Sequence, residues 1–240
     1  MASRIMRVFT FIRFMRQILK SSPADLDWIQ SQGLLAVKLA QIFALRSDLI
    51  SVDKCRQLQQ LYQHASSIPT EDVFRNIEQR APEGFIDAFE HIDDVPLAAA
   101  SVGQVHRARL KDGQEVVIKV IKAQNEKTFR RDVNRMRRWL RVFLIFMPKL
   151  RKVGNPVALL NHVADYTTRE LDLRNEIKGA EELLRIKEEV SGNFQMDLLR
   201  FPKYYRELSN KDVLVSEFVR GDSLEDGIEA GSLTWSTLLE

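Results

Sequence analysis

Residues 96–120 read PLAAASVGQVHRARLKDGQEVVIKV, and the fold turns on that stretch. It opens with Ala98, Ala99, Ala100, Ser101, Val102 and Gly103, whose short side chains let a bound group come close to the backbone. A segment with little turn chemistry follows and is expected to be a strand. Asp112 and Gly113 then predict a tight hairpin turn, because both residues tolerate positive φ. The return strand, residues 116–120, is β-branched except at Lys119. A small-residue loop, a hairpin and one lysine in an apolar strand can cover the phosphates of a nucleotide and set a cation against them.

The rest of the chain bounds what that stretch can belong to. With 240 residues, 45% of them hydrophobic and 29% charged, it can bury the core of one large or two small domains. The 36 Lys and Arg against 33 Asp and Glu leave a net charge of +3, too slight to argue for nucleic-acid binding. The single cysteine, Cys55, rules out an internal disulfide framework and suits a reducing compartment; His64, His91, His106 and His162 show no metal-ligand spacing. No apolar run approaches the roughly 20 residues of a membrane-spanning helix. Residues 1–22 carry Arg4, Arg7, Arg13, Arg16 and Lys20, with no acid before Asp25. That composition is shared by organellar transit peptides, helices that lie on a membrane surface and ordinary terminal helices. The three readings correspond to an organellar chain, a cytoplasmic chain peripheral to a membrane, and a plain cytoplasmic one.

Residues 8–19 place Val8, Phe11, Ile12, Met15, Ile18 and Leu19 at helical spacing, with Arg13, Arg16 and Lys20 opposite. Such a helix either packs on the protein with a solvated basic face or attaches to an anionic membrane. Ser22-Pro23 breaks the pattern, and a second helix is predicted over 24–45. Within it Lys38 and Gln41, three apart, share a face; pattern alone makes Lys38 a surface lysine with its stem along apolar neighbours. Further helices are predicted over 53–64 and 71–79. A helical extension, 1–92, is expected to precede an α+β lobe, 93–240.

Residues 122–152 are strongly basic: Lys122, Lys127, Arg130, Arg131, Arg135, Arg137, Arg138, Arg141, Lys149, Arg151 and Lys152 face only Glu126 and Asp132. With an apolar stripe of Phe129, Val133, Met136, Leu140, Phe143 and Met147, this is a cationic amphipathic helix ending before Pro148. The basic face is either simply solvated or meets phosphate-rich or lipid surfaces. Asn155-Pro156 then supplies an N-cap and a first-turn proline. One helix is predicted to follow, with Leu159, Val163, Tyr166, Glu170, Leu173, Ile177, Ala180 and Leu184 on one seam. A carboxylate on that seam is costly unless a cation reaches it, so Glu170 calls for a lysine. Asp172 and Glu176, four apart, share a neighbouring face. Residues 201–205 and 212–215 are expected to be strands, the second passing into a linker by 221.

This order of motifs resembles the UbiB/AarF family of atypical kinase-like proteins, from about residue 34 to residue 229. Lys38-Leu39-Ala40-Gln41 is similar to the family's Lys-x-Gly-Gln motif, residues 96–101 to its alanine-rich substitute for a glycine-rich loop, and Glu170-Leu171-Asp172 to its Glu-x-Asp motif. The resemblance implies a protein-kinase-like N-lobe, an antiparallel sheet plus an αC-like helix, behind a helical extension. It implies that Lys119 holds the α- and β-phosphates of ATP and that Glu176 on the αC-like helix is its partner. Ala98, Ala99, Ala100 and Ser101 would cover the nucleotide, and the backbone from Glu217 to Val219 would meet adenine. Lys38, Gln41, Glu170 and Asp172 would form one polar cluster, with Lys38 as the cation Glu170 needs. Family members look like ATPases of ubiquinone or isoprenoid-lipid pathways rather than general protein kinases.

Two departures matter. Ala40 replaces the family's glycine, which adds one methyl. The C-lobe, with the catalytic Asp and the ligands of the Mg expected for the family, is expected to be missing. The first reading is therefore the ATP-binding portion of a UbiB-type kinase or ATPase, inactive alone and awaiting a C-lobe or partner. The second is a non-catalytic module that docks on a membrane or protein through its basic helices, and a helical nucleic-acid binder ranks last.

Overall fold

The computed structural model describes residues 2–20, 22–63, 67–122, 126–146, 155–190, 200–221 and 224–232. The expected positions His64, Met147, Lys149, Arg151 and Lys152, and the side chains of Val8 and Phe143, lie outside the described residues.

Four helices lead: α1 (Ala2–Leu19), α2 (Leu26–Ser31), α3 (Leu34–Ala44) and α4 (Val52–Gln63). The single helix expected over 24–45 is in fact two. Asp25 caps α2 by accepting from Trp28 N at 2.9 Å, and Gly33 then takes φ 95 and ψ 177, a conformation that breaks the helix and that only glycine adopts readily. On α1 the buried side is Phe14 and Ile18, whereas Ile12 and Leu19 are exposed, so the inward stripe is rotated from the one expected. Arg13 lies 4.3 Å from the centre of the Trp28 ring and 3.6 Å from Asp25.

Helix α5 (Thr70–Arg80) and a 3-10 turn at Ile86–Ala88 lead into the sheet. Its strands are β1 (Phe89–Ile92), β2 (Ala98–Ala99), β3 (Gly103–Leu110), β4 (Glu115–Ile121) and, much later, β5 (Val213–Glu217), all antiparallel in the order β1-β3-β4-β5, with β2 paired to β3. The hairpin between β3 and β4 is present, but its turn differs from the one expected. Gly113 N donates to Leu110 O at 2.8 Å and Gly113 alone takes positive φ, 87, while the Asp112 carboxylate accepts from Gln114 N at 3.0 Å. Asp112 therefore acts through its side chain in a type I turn closed by a glycine bulge.

Alternation sorts the sheet into two faces. Val116, Ile118 and Val120 of β4 are buried against Val73 and Ile77 of α5, Phe85, Phe89, Val213 and Val215. Lys119 points the other way, paired in register with Val105 and Leu214. On that second side one core joins α1 to α4 with Val102, Ile121 and Leu214 of the lobe and with the later helices α6 (Glu126–Phe146), α7 (Pro156–Glu170) and α8 (Arg174–Val190). The division expected at residue 92 is thus crossed by packing: β1 before it belongs to the sheet, α5 covers the sheet, and the leading helices share their core with the lobe. Long-range burial of this kind leaves no mark on local periodicity.

The helix expected through Glu170 and Glu176 is interrupted at residues 171–173, where Asp172 Oδ1 accepts from Arg174 N at 3.1 Å and so opens α8. Asp172 and Glu176 accordingly do not share a face of one helix. Residues 201–205 form no strand; Tyr204 makes an isolated bridge to Ser216 and a 3-10 turn spans Arg206–Leu208. The cap expected at Asn155 is present, its Oδ1 accepting from Ala158 N at 3.0 Å with Pro156 in the first turn. Helix α9 (Leu224–Glu229) follows β5.

Candidate functional site

The site is built where β4, the alanine-rich segment and α8 meet. Strand alternation sends Ile118 and Val120, both essentially unexposed, into the α5-facing core and turns Lys119 between them to the opposite side of the sheet. The Lys119 ammonium forms an ion pair with the Glu176 carboxylate on the first turn of α8. Both side chains keep some exposure, 27% and 41%, so the pair is open to a solute.

The alanine-rich segment is only partly a loop. Ala98 pairs with Val105 and Ala99 with Gln104 as β2, and Ala100 N then donates to Gly103 O at 2.8 Å, closing a turn over residues 100–103. Gly103 carries β3 close over β4: a Cβ there would lie 3.1 Å from Val120 O and 3.6 Å from Lys119 Cε. Among the described residues the Ser101 and Val102 N–H groups and the Ser101 hydroxyl have no recorded partner. Two successive backbone donors beside a lysine are a fit for phosphate oxygens.

Next to this turn a cleft of about 760 Å³ runs between α3 and α7, with Ala100, Ser101, Lys38, Gln41, Tyr62, Tyr166 and Glu170 among its walls. Lys38 Nζ lies 2.5 Å from Glu170 Oε2, with side-chain exposures of 11% and 27%. Glu170 Oε2 is buried, and the Lys38 ammonium is the one polar partner recorded beside it among the described residues. Pattern alone put Lys38 on the surface; the structure buries most of it, with Nζ also 5.6 Å from the centre of the Tyr166 ring. The Glu170 carboxylate raises the Tyr166 phenol above its ordinary pKa, and burial adds to the effect. Gln41 is buried and donates to Leu61 O at 2.9 Å, while Tyr62 donates to Gln41 O at 2.9 Å, so the glutamine ties α3 to α4 at the edge of the cleft. Ala40 is fully buried in the same helix.

The other expected positions are dispersed. Asp172 lies outside the Lys38–Glu170 cluster; Arg174 holds its carboxylate at 2.9 and 2.6 Å and lowers its pKa. Glu217 donates its N–H to Lys203 O, and its carboxylate, lowered in pKa first by the Lys203 N–H, also pairs with Arg200. Phe218 N is taken by Glu115 O at 3.1 Å, leaving Val219, 44% exposed, and Arg220 without a recorded backbone bond among the described residues.

Sequence reading missed two polar residues and undervalued a third. Gln104 and His106 on β3 are essentially unexposed: Gln104 Oε1 accepts from Ile68 N at 2.9 Å, Gln104 Nε2 meets His106 Nε2 at 3.0 Å, and His106 Nδ1 meets Asp93 O at 2.7 Å. With Nδ1 protonated toward the carbonyl, every contact is satisfied, and the chain before α5 and after β1 is pinned to the strand that carries Gly103. Their i, i+2 spacing on a strand was the available signal. The third is Lys122, read as part of a basic helix but standing at the end of β4 against the alanine turn, with Nζ 2.6 Å from Ala100 O.

Among the described residues no group of three His, Cys, Asp or Glu could hold a metal ion.

A family model described as the ABC1 atypical kinase-like domain matches residues 60–234. A "Probable protein kinase UbiB" of Pseudomonas paraeruginosa is 32% identical over 202 residues, covering 82% of this chain and 36% of the relative. One of the same description from Vibrio parahaemolyticus is 32% identical over 216 residues, 88% of this chain and 38% of the relative. "AarF domain-containing protein kinase 1" of Xenopus laevis is 31% identical over 190 residues, 79% and 35%. The chain thus spans little more than a third of the length of these curated relatives. Among solved structures, that of the Rv3197–erythromycin complex from Mycobacterium tuberculosis superposes with a TM-score of 0.52 at 19% identity, covering 96% of this chain and 53% of that one, a likeness of fold. With most of its length matched, and with an antiparallel sheet, a helix-borne glutamate on its strand lysine and a helical extension in front, this chain belongs to the ABC1 atypical kinase-like family.

Proposed function

We propose that this chain is the nucleotide-binding part of an atypical kinase or ATPase of the UbiB type, serving ubiquinone or another isoprenoid-lipid pathway. The observation that carries the reading is the Lys119–Glu176 ion pair beneath a turn whose Ser101 and Val102 N–H groups are open. Lys119 would meet the α- and β-phosphates, the turn their oxygens, and the Val219 backbone the adenine edge. Phosphoryl transfer needs magnesium held against the phosphates, and the chain alone is expected to bind ATP without turning it over. Isothermal titration of the purified chain with ATP, paired with phosphate release in the presence of magnesium, tests both halves. Saturable binding without phosphate release is expected. No binding at millimolar ATP would end the nucleotide reading, and turnover that Lys119→Ala abolishes would end the inactivity.

A second reading is favoured by one surface. Phe9, Ile12 and Leu19 of α1 and Val142 and Ile145 of α6 are exposed, as are Lys20 just after α1 and Arg138 and Arg141 of α6, and the two helices border a common pocket. Apolar side chains among cations suit an anionic membrane surface. No helix among the described residues is long and apolar enough to cross a membrane. Flotation with phosphatidylglycerol vesicles is expected to carry the chain at low salt, and Ile145→Glu to weaken it. Failure to float at any salt concentration would remove this reading.

A further inference from the structure

Ser101 sits between two carbonyls that one residue holds. Lys122 Nζ donates to Ala100 O at 2.6 Å, and Lys122 N donates to Val102 O at 2.9 Å. Both contacts come from the first residue after β4, whose last residue, Ile121, is 2% exposed and donates its N–H to Asp212 O at 2.9 Å. The clamp therefore starts from a fixed point of the sheet. On the other side the turn is closed by Ala100 N on Gly103 O.

The consequence is an electrostatic sorting of one short turn. A carbonyl free to swing toward a phosphate repels it, whereas an N–H attracts it. Here the two carbonyls flanking Ser101 are engaged by Lys122, and the Ser101 and Val102 N–H groups and the Ser101 hydroxyl are left as donors. Gly103, where a Cβ would be crowded at 3.1 Å from Val120 O, lets that turn lie close over Lys119.

We infer that Lys122 is a positioning residue for phosphate binding: by holding the Ala100 and Val102 carbonyls it fixes residues 100–103 as an anion-binding turn above Lys119. The inference rests on the nucleotide reading above and adds to it a second lysine with a different task. Lys119 meets the nucleotide; Lys122 shapes the backbone that does. Burial lowers the pKa of Lys122, which is consistent with an ammonium set against protein groups rather than into solvent.

The test is calorimetry on the full chain with ATP, ADP and adenosine, comparing Lys122→Met, Lys122→Arg and Lys119→Met. Lys122→Met, which frees the Ala100 carbonyl and keeps the backbone bond to Val102 O, is expected to weaken ATP and ADP about tenfold and to leave adenosine within about twofold, because only the phosphate contacts pass through the turn. Lys122→Arg, which keeps charged donors, is expected to retain affinity within about threefold. Amide exchange at Ala100, whose N–H closes the turn on Gly103 O, is expected to quicken in Lys122→Met without ligand. If Lys119→Met weakens ATP while Lys122→Met does not, the positioning role is refuted and the nucleotide reading stands. If adenosine weakens as much as ATP, Lys122 merely holds the lobe together, and the inference is equally refuted. A wild-type chain that binds neither ATP nor ADP removes the reading and this inference with it.

Discussion

Lys119→Met lowers the affinity of the chain for ATP by about tenfold to a hundredfold, the loss of a hydrogen bond between charged groups worth about 1.5–3 kcal/mol. Methionine keeps the length and apolar stem of the side chain, so strand β4 and its neighbours Val105 and Leu214 are undisturbed. Folding stability barely changes. The Lys119 and Glu176 side chains are 27% and 41% exposed, and ion pairs of that kind contribute about 0–1 kcal/mol. The signature is thus a large change in binding beside a small one in thermal midpoint. Glu176→Gln leaves the cation in place but loosens its hold, and is expected to weaken ATP by a smaller factor than Lys119→Met. Titration calorimetry and a thermal melt on the same three proteins check the whole pattern. ATP bound equally well by wild type and Lys119→Met would place the nucleotide elsewhere.

That Lys119 stood out at all was a matter of local chemistry: a charge in a β-branched run is rare enough to be visible in one sequence. The hairpin was equally legible, since glycine beside aspartate between two apolar runs has few alternatives, although Asp112 acts through its carboxylate rather than a positive φ. The partner Glu176 was legible only through family resemblance, because 57 residues separate it from Lys119. The helix breaks were harder. Gly33 falls inside a good apolar period, which carries no mark of its φ of 95. The break at 171–173 hides because Leu171 and Leu173 are both buried and keep the seam apolar through it. Asp172, a helix-opening residue type, was the one local hint. Strand β1 is short and half exposed, so Phe89 to Ile92 carries almost no period; its identity comes from pairing with β3. Gln104 and His106 were invisible for a related reason, since burial of polar side chains is decided by the partners Ile68 and Asp93.

The largest stability effect is expected at the other ion pair. Lys38→Met removes the only cation the structure records within 4.0 Å of Glu170 among the described residues, leaving a carboxylate whose Oε2 is buried and has no hydrogen bond. Stranding one member of a buried pair costs about 3–5 kcal/mol, and the partial exposure of Glu170 puts the expectation near the low end, about 3 kcal/mol. For a chain of this size that lowers the thermal midpoint by about 6–12 °C. Lys38→Met combined with Glu170→Gln is expected to recover most of the loss, because neither charge is then stranded; the cycle separates the penalty of an unpaired carboxylate from the net contribution of the pair. Tyr166 gives an independent readout. Glu170 is the first cause of its raised pKa, so Glu170→Gln is expected to bring the phenol back toward its ordinary value in an ultraviolet titration. If Lys38→Met melts within a degree or two of wild type, Glu170 must find another cation or take up a proton, and the pair holds α3 to α7 far less firmly than its burial indicates.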